Sequence, residues 1–369
     1  MNNFYKNYII YVLLLLLLTG CVSHPISKGQ QYKDGKINKP LILVDTPNIK
    51  GKPINIKDFY NQIDKIKHTS PFLYKKYHDT FKIVIKWLQA GGDINVISKF
   101  NLIIYQMAGI DHFGNVQLTG YYTPVIQARY TRQGNFQYPL YRMPIKEKNQ
   151  LLPNRTSIYN GILDNRNLVL GYSNSLIDNF MMEVQGSGYV DYGDGLPFTF
   201  FGYCGNNGYS YYSIGKILIK RGDIINEEMS MHAIRQWAYK HSIHEVRALL
   251  EQNPSFVFFK PEKNSLVKGA SGVPLLPKVS VACDSRLIPA GSTLLVEVPL
   301  LDCYGKFTGK YEIRLMLALD VGGVIKGQHC DIYQGIGQDA GEKAGFYNHY
   351  GRIWILESPI IQDYYSPRF

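Results

Sequence analysis

Acidic residues are scarce: 29 Asp and Glu stand against 40 Lys and Arg in 369 residues, a formal charge of +11 at pH 7. Such a balance turns the search for partners toward polyanions. Cysteine is scarce too, and its five positions (Cys21, Cys204, Cys283, Cys303, Cys330) contain no C-x-x-C spacing, which argues against a zinc knuckle. "HSIHE" (His241 to Glu245) inverts the H-E-x-x-H order of a zinc protease helix, so no metal is expected. "GIGQDAG" (Gly335 to Gly341) has one spacer too few for a phosphate loop and lacks its terminal lysine; it reads as a turn, and no cofactor is expected. The one long apolar run, Ile9 to Leu18, is about half of the roughly 20 residues a membrane-spanning helix needs. Internal repeats and low-complexity segments are absent.

That apolar run follows a single charge, Lys6, and leads into "TGC", the layout of a signal peptide over residues 1–20. "LTGC" (Leu18 to Cys21) resembles the lipobox of bacterial lipoproteins, in which the cysteine is lipidated and becomes the new amino terminus. Three acyl chains on Cys21 would anchor the protein firmly. Val22, rather than Asp, in the next position implies the outer membrane, on its periplasmic face. Export makes nucleic acid the least expected polyanion and leaves anionic lipid and the carboxylate-bearing peptidoglycan. An oxidising compartment permits disulfides, but a chain of this size needs none.

With 45% hydrophobic and 13% aromatic residues, the chain can fill one large or two ordinary domains. Residues 21–55 are polar, lysine-rich and broken by Pro and Gly, so they read as a tether. Ser70 to Gly92 predicts an amphipathic helix with Phe81, Ile85 and Leu88 on one stripe and a Gly-Gly stop. Val116 to Phe201 alternates in short runs rich in Tyr, Thr and Val, a β pattern, with glycines clustered from Met182 to Phe198. Helical segments follow between Ser213 and Gln252, the third opened by a Ser242/Glu245 capping box. From Val273 onward several short strands suggest a barrel.

In "DVGGVIKGQHCDIYQG" (Asp320 to Gly335), "RLMLAL" before and "HCDIYQ" within read as strands joined by Val321 to Gln328. Period-two alternation puts His329, Asp331 and Tyr333 on one face, with Cys330 and Ile332 on the other. Asp320, beside Val321-Gly322-Gly323, is expected to bind loop amides, which would keep it ionised and leave Asp331 as the better acid. Lys326 could neutralise Asp320, contact a substrate carboxylate or be solvated, and Asp284 in "CDSRLIPAG" could be a turn residue; spacing leaves both open.

Six segments carry a wider likeness: "GYYTP" (Gly120 to Pro124), "MEVQGSG" (Met182 to Gly188), "GYSYYSIGK" (Gly208 to Lys216), "NPSFVFF" (Asn253 to Phe259), "GVPLLPKVSVACD" (Gly272 to Asp284) and "LDVGGVIKGQHCDIYQGIG" (Leu319 to Gly337). Together they resemble the membrane-bound lytic murein transglycosylase A family, in its order and over nearly all of the mature chain; Cys204 and Tyr212 stand in a stretch that departs from its pattern. The resemblance implies a mainly β fold with peripheral helices: a double-psi β-barrel from residues 56–122 and 264–369, a second β-rich domain inserted at 123–263, and a substrate groove between them. It implies cleavage of the β-1,4 bond between N-acetylmuramic acid and N-acetylglucosamine, leaving a 1,6-anhydromuramoyl end. Asp331 matches the family's catalytic aspartate, with Asp284, Asp320 and Lys326 as support. Tyr122, Thr123, Gln185, Ser187, Gly188, Tyr209, Ser210 and Tyr333 are the expected glycan contacts, with Tyr121 and Tyr211 as further flat faces. Glycan strands, the outer membrane and other cell-wall enzymes are the expected partners. Two rivals share these residues: a non-catalytic peptidoglycan-binding lipoprotein, and a hydrolytic muramidase with a second carboxylate facing Asp331. A third, an aspartic-protease-like site, needs two matching motifs, and "DVGG" occurs once.

Overall fold

The computed structural model describes residues 31–145, 151–263 and 265–359; the signal segment and Cys21 lie outside the described residues. The first strand, β1 (Leu41–Val44), pairs antiparallel with β2 (Ile103–Met107). It lies inside the stretch expected to be a tether, and Tyr32 and Ile37 ahead of it are buried. The tether reading is therefore corrected for its second half. Lysines and prolines dominate that composition, but "LILV" supplies a strand short enough to escape notice.

Two α-helices, α1 (Ile56–Thr69) and α2 (Pro71–Gln89), and a 3-10 turn at Ile94–Phe100 separate these strands. Pro71 opens the second, where its missing N–H costs nothing. Gly91 and Gly92 end it with φ of 105° and 65°, a region glycine enters without a Cβ clash. Phe59, Ile63 and Ile66 of α1 and Phe81, Val84, Trp87 and Leu88 of α2 form one face of the largest core. The sequence reading missed α1, although 59, 63 and 66 follow the helical period.

β3 (Val116–Thr123) leads into a second sheet of β4 (Val125–Arg129), β5 (Tyr138–Tyr141), β6 (Val169–Ser173), β7 (Gly188–Asp191), β8 (Thr199–Asn206) and β9 (Val257–Glu262), in the order β5-β6-β4-β7-β8-β9. Helices α3 (Arg155–Tyr159) and α4 (Leu176–Gln185) interrupt it. The second departs from the β-rich expectation for this stretch; Ser175 caps its start, and Gly186, at φ 78°, ends it. Before β9 come α5 (Ile214–Arg221), α6 (Met231–Lys240) and α7 (Ile243–Leu250), the last with both bonds of the Ser242/Glu245 capping box.

The chain then returns to the first sheet through β10 (Ser280–Ala282), β11 (Thr293–Leu301), β12 (Phe307–Asp320), β13 (His329–Ile336), α8 (Gln338–Phe346) and β14 (Asn348–Glu357). "GIGQDAG" is thus only in part the expected turn: Gly337 has φ 85°, but Gln338 begins α8. Strand order β14-β11-β12-β10-β13-β3, with β3 paired back to β14, closes a ring of six strands. Closure leaves no free edge in the ring. Leu118, Val281, Leu294, Val296, Met316, Ala318, Cys330, Ile332, Ile353 and Ile355 fill its interior. Alternate residues such as Leu295, Leu317, Tyr333 and Trp354 face outward, toward α1 and α2 or the second sheet. This alternation decides which side chains can meet on the outside of the ring.

Candidate active site

One rung crosses five strands. Asp320 on β12 is opposite Ala282 on β10, Ala282 is opposite Asp331 on β13, Asp331 is opposite Thr119 on β3, and Thr119 is opposite Asn348 on β14. Residues opposite one another share a face. Asp331 lies between inward-facing Cys330 and Ile332, so it points out of the barrel, as alternation predicts. Asp320 should by the same rule follow Ala318 inward. A bulge prevents this: Val281 is opposite Ala318, but Ala282 is opposite Asp320, so Leu319 is the extra residue. One added residue flips the face of every residue beyond it in the strand. The two carboxylates therefore flank the methyl of Ala282, a residue the sequence reading passed over because a bulge leaves no sequence signal.

The partners of the two acids differ. Asp320 Oδ1 accepts from the Ala270 and Val321 amides, both at 2.9 Å, and Oδ2 accepts from the Tyr121 hydroxyl at 2.8 Å. It binds loop amides as expected. Burial nevertheless raises its pKa against the three donors, so the expectation that amides alone would hold its charge was too simple. Asp331 Oδ1 lies 2.7 Å from the Thr119 hydroxyl, which also lies 2.8 Å from His329 Nε2. Oδ2 has no hydrogen-bond partner in the protein among the described residues. The side chain is deeply seated yet keeps part of its surface open to solvent. Burial pushes its pKa up to about 7; negative charge on Asp320 adds to this, and a hydroxyl donated by Thr119 opposes it. A carboxylic acid that keeps its proton near neutrality can act as a general acid.

Asp284 and Lys326 do not join them. Asp284 is gripped by Arg286 through two bonds of 3.0 and 2.8 Å, and it accepts from the Gly327 amide at 2.9 Å. The guanidinium holds its carboxyl far below the usual carboxylate range. Its bonds fasten the 321–328 loop to the end of β10. A folded-state pKa lowered in this way contributes stability above the unfolded value that is lost as pH falls. Asp284→Asn should therefore melt below the parent protein at pH 7, and in thermal unfolding the gap should begin to narrow below pH ~3.9 and close only as pH falls through the lowered folded-state value. Lys326 is exposed, and its ammonium donates to the Gly322 carbonyl at 3.2 Å inside its own loop. It bonds to neither Asp320 nor Asp331.

Residues 117–260 match the MltA specific insert domain, and residues 279–357 match the 3D domain. Membrane-bound lytic murein transglycosylase A of Escherichia coli K12 is 57% identical over 358 residues, 97% of either chain. The protein of that name from Vibrio cholerae is 42% identical over 342 residues, 93% of this chain and 92% of that one. The chain belongs to the membrane-bound lytic murein transglycosylase A family. The crystal structure of E. coli MltA with bound chitohexaose matches it with a TM-score of 0.86 at 58% identity, over 91% of this chain and 100% of that one. The two-domain, mainly β architecture is common to these transglycosylases.

Several of the expected glycan contacts are packed inside. Tyr122 is 2% exposed; its hydroxyl accepts from Arg235, and its ring covers Gly341. It cannot offer a flat face to a sugar. Thr123 and Tyr333, both buried, hydrogen-bond each other at 2.9 Å, and the Tyr333 ring lies 5.2 Å from that of Tyr121. Burial explains these three: Thr123 and Tyr333 sit on outward strand positions, Tyr122 lies on the other face of β3 with Gly120 and packs against Ala340 and Ala344 of α8, and each is covered. Gln185 uses its side-chain oxygen on the Tyr122 amide at 2.9 Å. Gly188 is buried, and a Cβ there would meet the Met182 side chain at 2.4 Å. Ser187 and Tyr209 are partly open; Ser210 and Tyr211 are exposed. Sequence reasoning also missed Thr119, the one side chain among the described residues that bonds Asp331. It lies just before "GYYTP", and only the parallel pairing of β3 with β13 brings it there. Elsewhere, a cavity of about 400 Å³ lined by Tyr138, Asn179 and Glu183 lies in the inserted domain, apart from Asp331.

Proposed function

We propose that the protein is a peptidoglycan lytic transglycosylase in which Asp331 alone acts first as acid and then as base. The single observation supporting this is a carboxyl group with a pKa pushed up to about 7 by burial, one oxygen of which has no partner among the described residues. Protonated Asp331 gives its proton to the glycosidic oxygen as the bond from C1 of N-acetylmuramic acid to that oxygen breaks. The C6 hydroxyl of the same sugar then attacks C1, and the Asp331 carboxylate takes the hydroxyl proton. The products are a 1,6-anhydromuramoyl end and a free N-acetylglucosamine hydroxyl; Asp331 ends as it began. No water enters. Intramolecular attack can contribute about 7–11 kcal/mol, replacing a second carboxylate.

A hydrolytic glycosidase would need a second carboxylate about 5 Å away as nucleophile, or about 6.5–9.5 Å away with a water between. Asp320 is the nearest candidate, and both its oxygens are occupied by donors. That favours the non-hydrolytic route. Chitohexaose bound to the E. coli relative supports a glycan strand as the ligand here.

We read the remaining architecture in the same way. The six-stranded ring with two parallel pairings is taken as a double-psi barrel, from residues 56–122 and 264–369 with the 31–55 segment added. Residues 123–263 form the inserted domain, and the glycan lies in a groove between the two. Cys21 carries the lipid that holds the enzyme on the periplasmic face of the outer membrane, beside other cell-wall enzymes.

Activity depends on pH with a definite sign. The acid form of Asp331 is required, and its folded pKa is raised to about 7. Turnover of purified sacculi should therefore fall as pH rises through that value, tenfold per unit well above it. A flat profile from pH 5 to 9 would show that another group supplies the proton.

A further inference from the structure

Two of the cysteines meet inside the barrel. β10 pairs antiparallel with β13, Val281 opposite Ile332 and Ala282 opposite Asp331, so the next step of the same register sets Cys283 opposite Cys330. Their sulfurs lie 3.6 Å apart, and both side chains are buried in the barrel interior. Opposed residues of an antiparallel pair have Cα atoms about 4.5–5.5 Å apart, within the roughly 4.4–6.8 Å that a disulfide spans. Cys204, on β8, and Cys303, between β11 and β12, are exposed. Among the described residues no third metal ligand joins the buried pair.

We propose that Cys283 and Cys330 form a disulfide in the exported protein, tying β13, the strand that carries Asp331, to β10. The inference goes beyond the reaction described above and rests only on the reading that the protein is exported to an oxidising compartment. One cysteine, as thiolate, attacks a sulfur of a disulfide-bearing oxidant and releases one oxidant thiol; the other cysteine attacks the mixed disulfide and releases the second. Two electrons and two protons pass to the oxidant, and one S–S bond replaces another. The step belongs to folding, before the barrel shuts. Once it is shut, the neighbouring Cys330 thiol and burial push the Cys283 thiol up, away from the reactive thiolate.

The link acts where the ring is weakest. β10 is three residues long and meets β13 at two positions, whereas β11 and β12 meet at eight. The same short strand slips against β12 at the bulge that turns Asp320 outward. Ala282, between the two carboxylates, directly precedes Cys283, and Asp331 directly follows Cys330. A cross-link over 47 positions, enclosing β11 and β12, restricts the unfolded chain and so favours the closed ring. The rung itself does not need the bond, because it is already formed with the sulfurs 3.6 Å apart.

Peptide mapping tests the pair. The full-length protein in detergent, reduced, unfolded and refolded in a buffer of reduced and oxidised glutathione, should on trypsin digestion join "VSVACDSR" (Val279 to Arg286) to "GQHCDIYQGIGQDAGEK" (Gly327 to Lys343). Separate peptides with free thiols, or either cysteine joined to Cys204 or Cys303, overturn the assignment. The same map of protein whose thiols are capped as cells are lysed separates the two readings. A link that forms in the buffer but is absent from cells removes export, and the working disulfide with it; failure in the buffer removes the cross-link alone. The oxidised protein should melt on the order of 10 °C above the same protein kept reduced, with equal turnover of sacculi well below both melting temperatures. Cys283→Ala with Cys330→Ala should abolish that dependence on reductant. Equal melting of the oxidised and reduced parent contradicts the stabilising role.

Discussion

Asp331→Asn should lose at least ~10³-fold in lytic activity on purified sacculi while keeping its fold. General acid or base catalysis by one group contributes roughly 10²–10⁴-fold, and here both steps fall on one carboxyl. Asparagine has the same shape and can still bond Thr119, so the rung from Asp320 to Asn348 should stay intact. An unchanged circular dichroism spectrum and melting temperature would separate lost chemistry from lost structure. Asp320→Asn should cost less. Its carboxyl is tied to two amides and the Tyr121 hydroxyl, and removing its charge withdraws one of the causes that raise Asp331. That variant should keep measurable activity, with its alkaline fall at lower pH.

The largest loss of stability is expected far from this rung. Arg155 is 1% exposed and makes two bonds to Glu183, at 3.1 and 2.8 Å, one to the Asn253 carbonyl at 2.9 Å and one to the Tyr159 hydroxyl at 2.8 Å. It also bonds the Ser255 carbonyl and lies over the rings of Phe180 and Phe256. Burial raises the pKa of Glu183, and Arg155 is the largest influence opposing it. Arg155→Met would leave that carboxyl buried without its counter-charge. Removing one partner of a buried pair typically costs about 3–5 kcal/mol. For a unit of this size that corresponds to a melting temperature lower by on the order of 10 °C. Arg155→Met with Glu183→Leu should recover part of the loss, because no charge is then stranded. The effect should reach the glycan side, since α4 carries both Glu183 and Gln185, and Gln185 holds the backbone of Tyr122 beside Tyr121.

The legible parts of this protein were those where a local pattern settles the outcome. The alternation of "HCDIYQ" put Asp331 on one face with His329 and Tyr333, the face that turns out of the barrel, and Ser242 with Glu245 marked the start of α7. The stop at Gly91-Gly92 was equally plain. What stayed hidden depended on contacts distant in sequence. Thr119 lies 212 positions from Asp331 and reaches it only through a parallel strand pairing. The bulge at Leu319, which turns Asp320 to the same face, exists because β10 and β12 slip by one residue. Tyr122, Thr123 and Tyr333 carry polar groups that suit a sugar, yet their hydroxyls are spent on Arg235 or on each other. Residue type suggested contact with ligand; packing gave those hydroxyls other partners. The strand at Leu41 was masked by the lysines and prolines around it, because composition averages over a window longer than four residues.

The central claim is that the sugar's own hydroxyl, not water, closes the reaction. Sacculi digested with the soluble protein and separated by mass spectrometry test it directly. The expected products are muropeptides ending in 1,6-anhydromuramic acid, formed at a rate that falls above pH 7. Products heavier by one water, with a reducing muramic acid end, would contradict it.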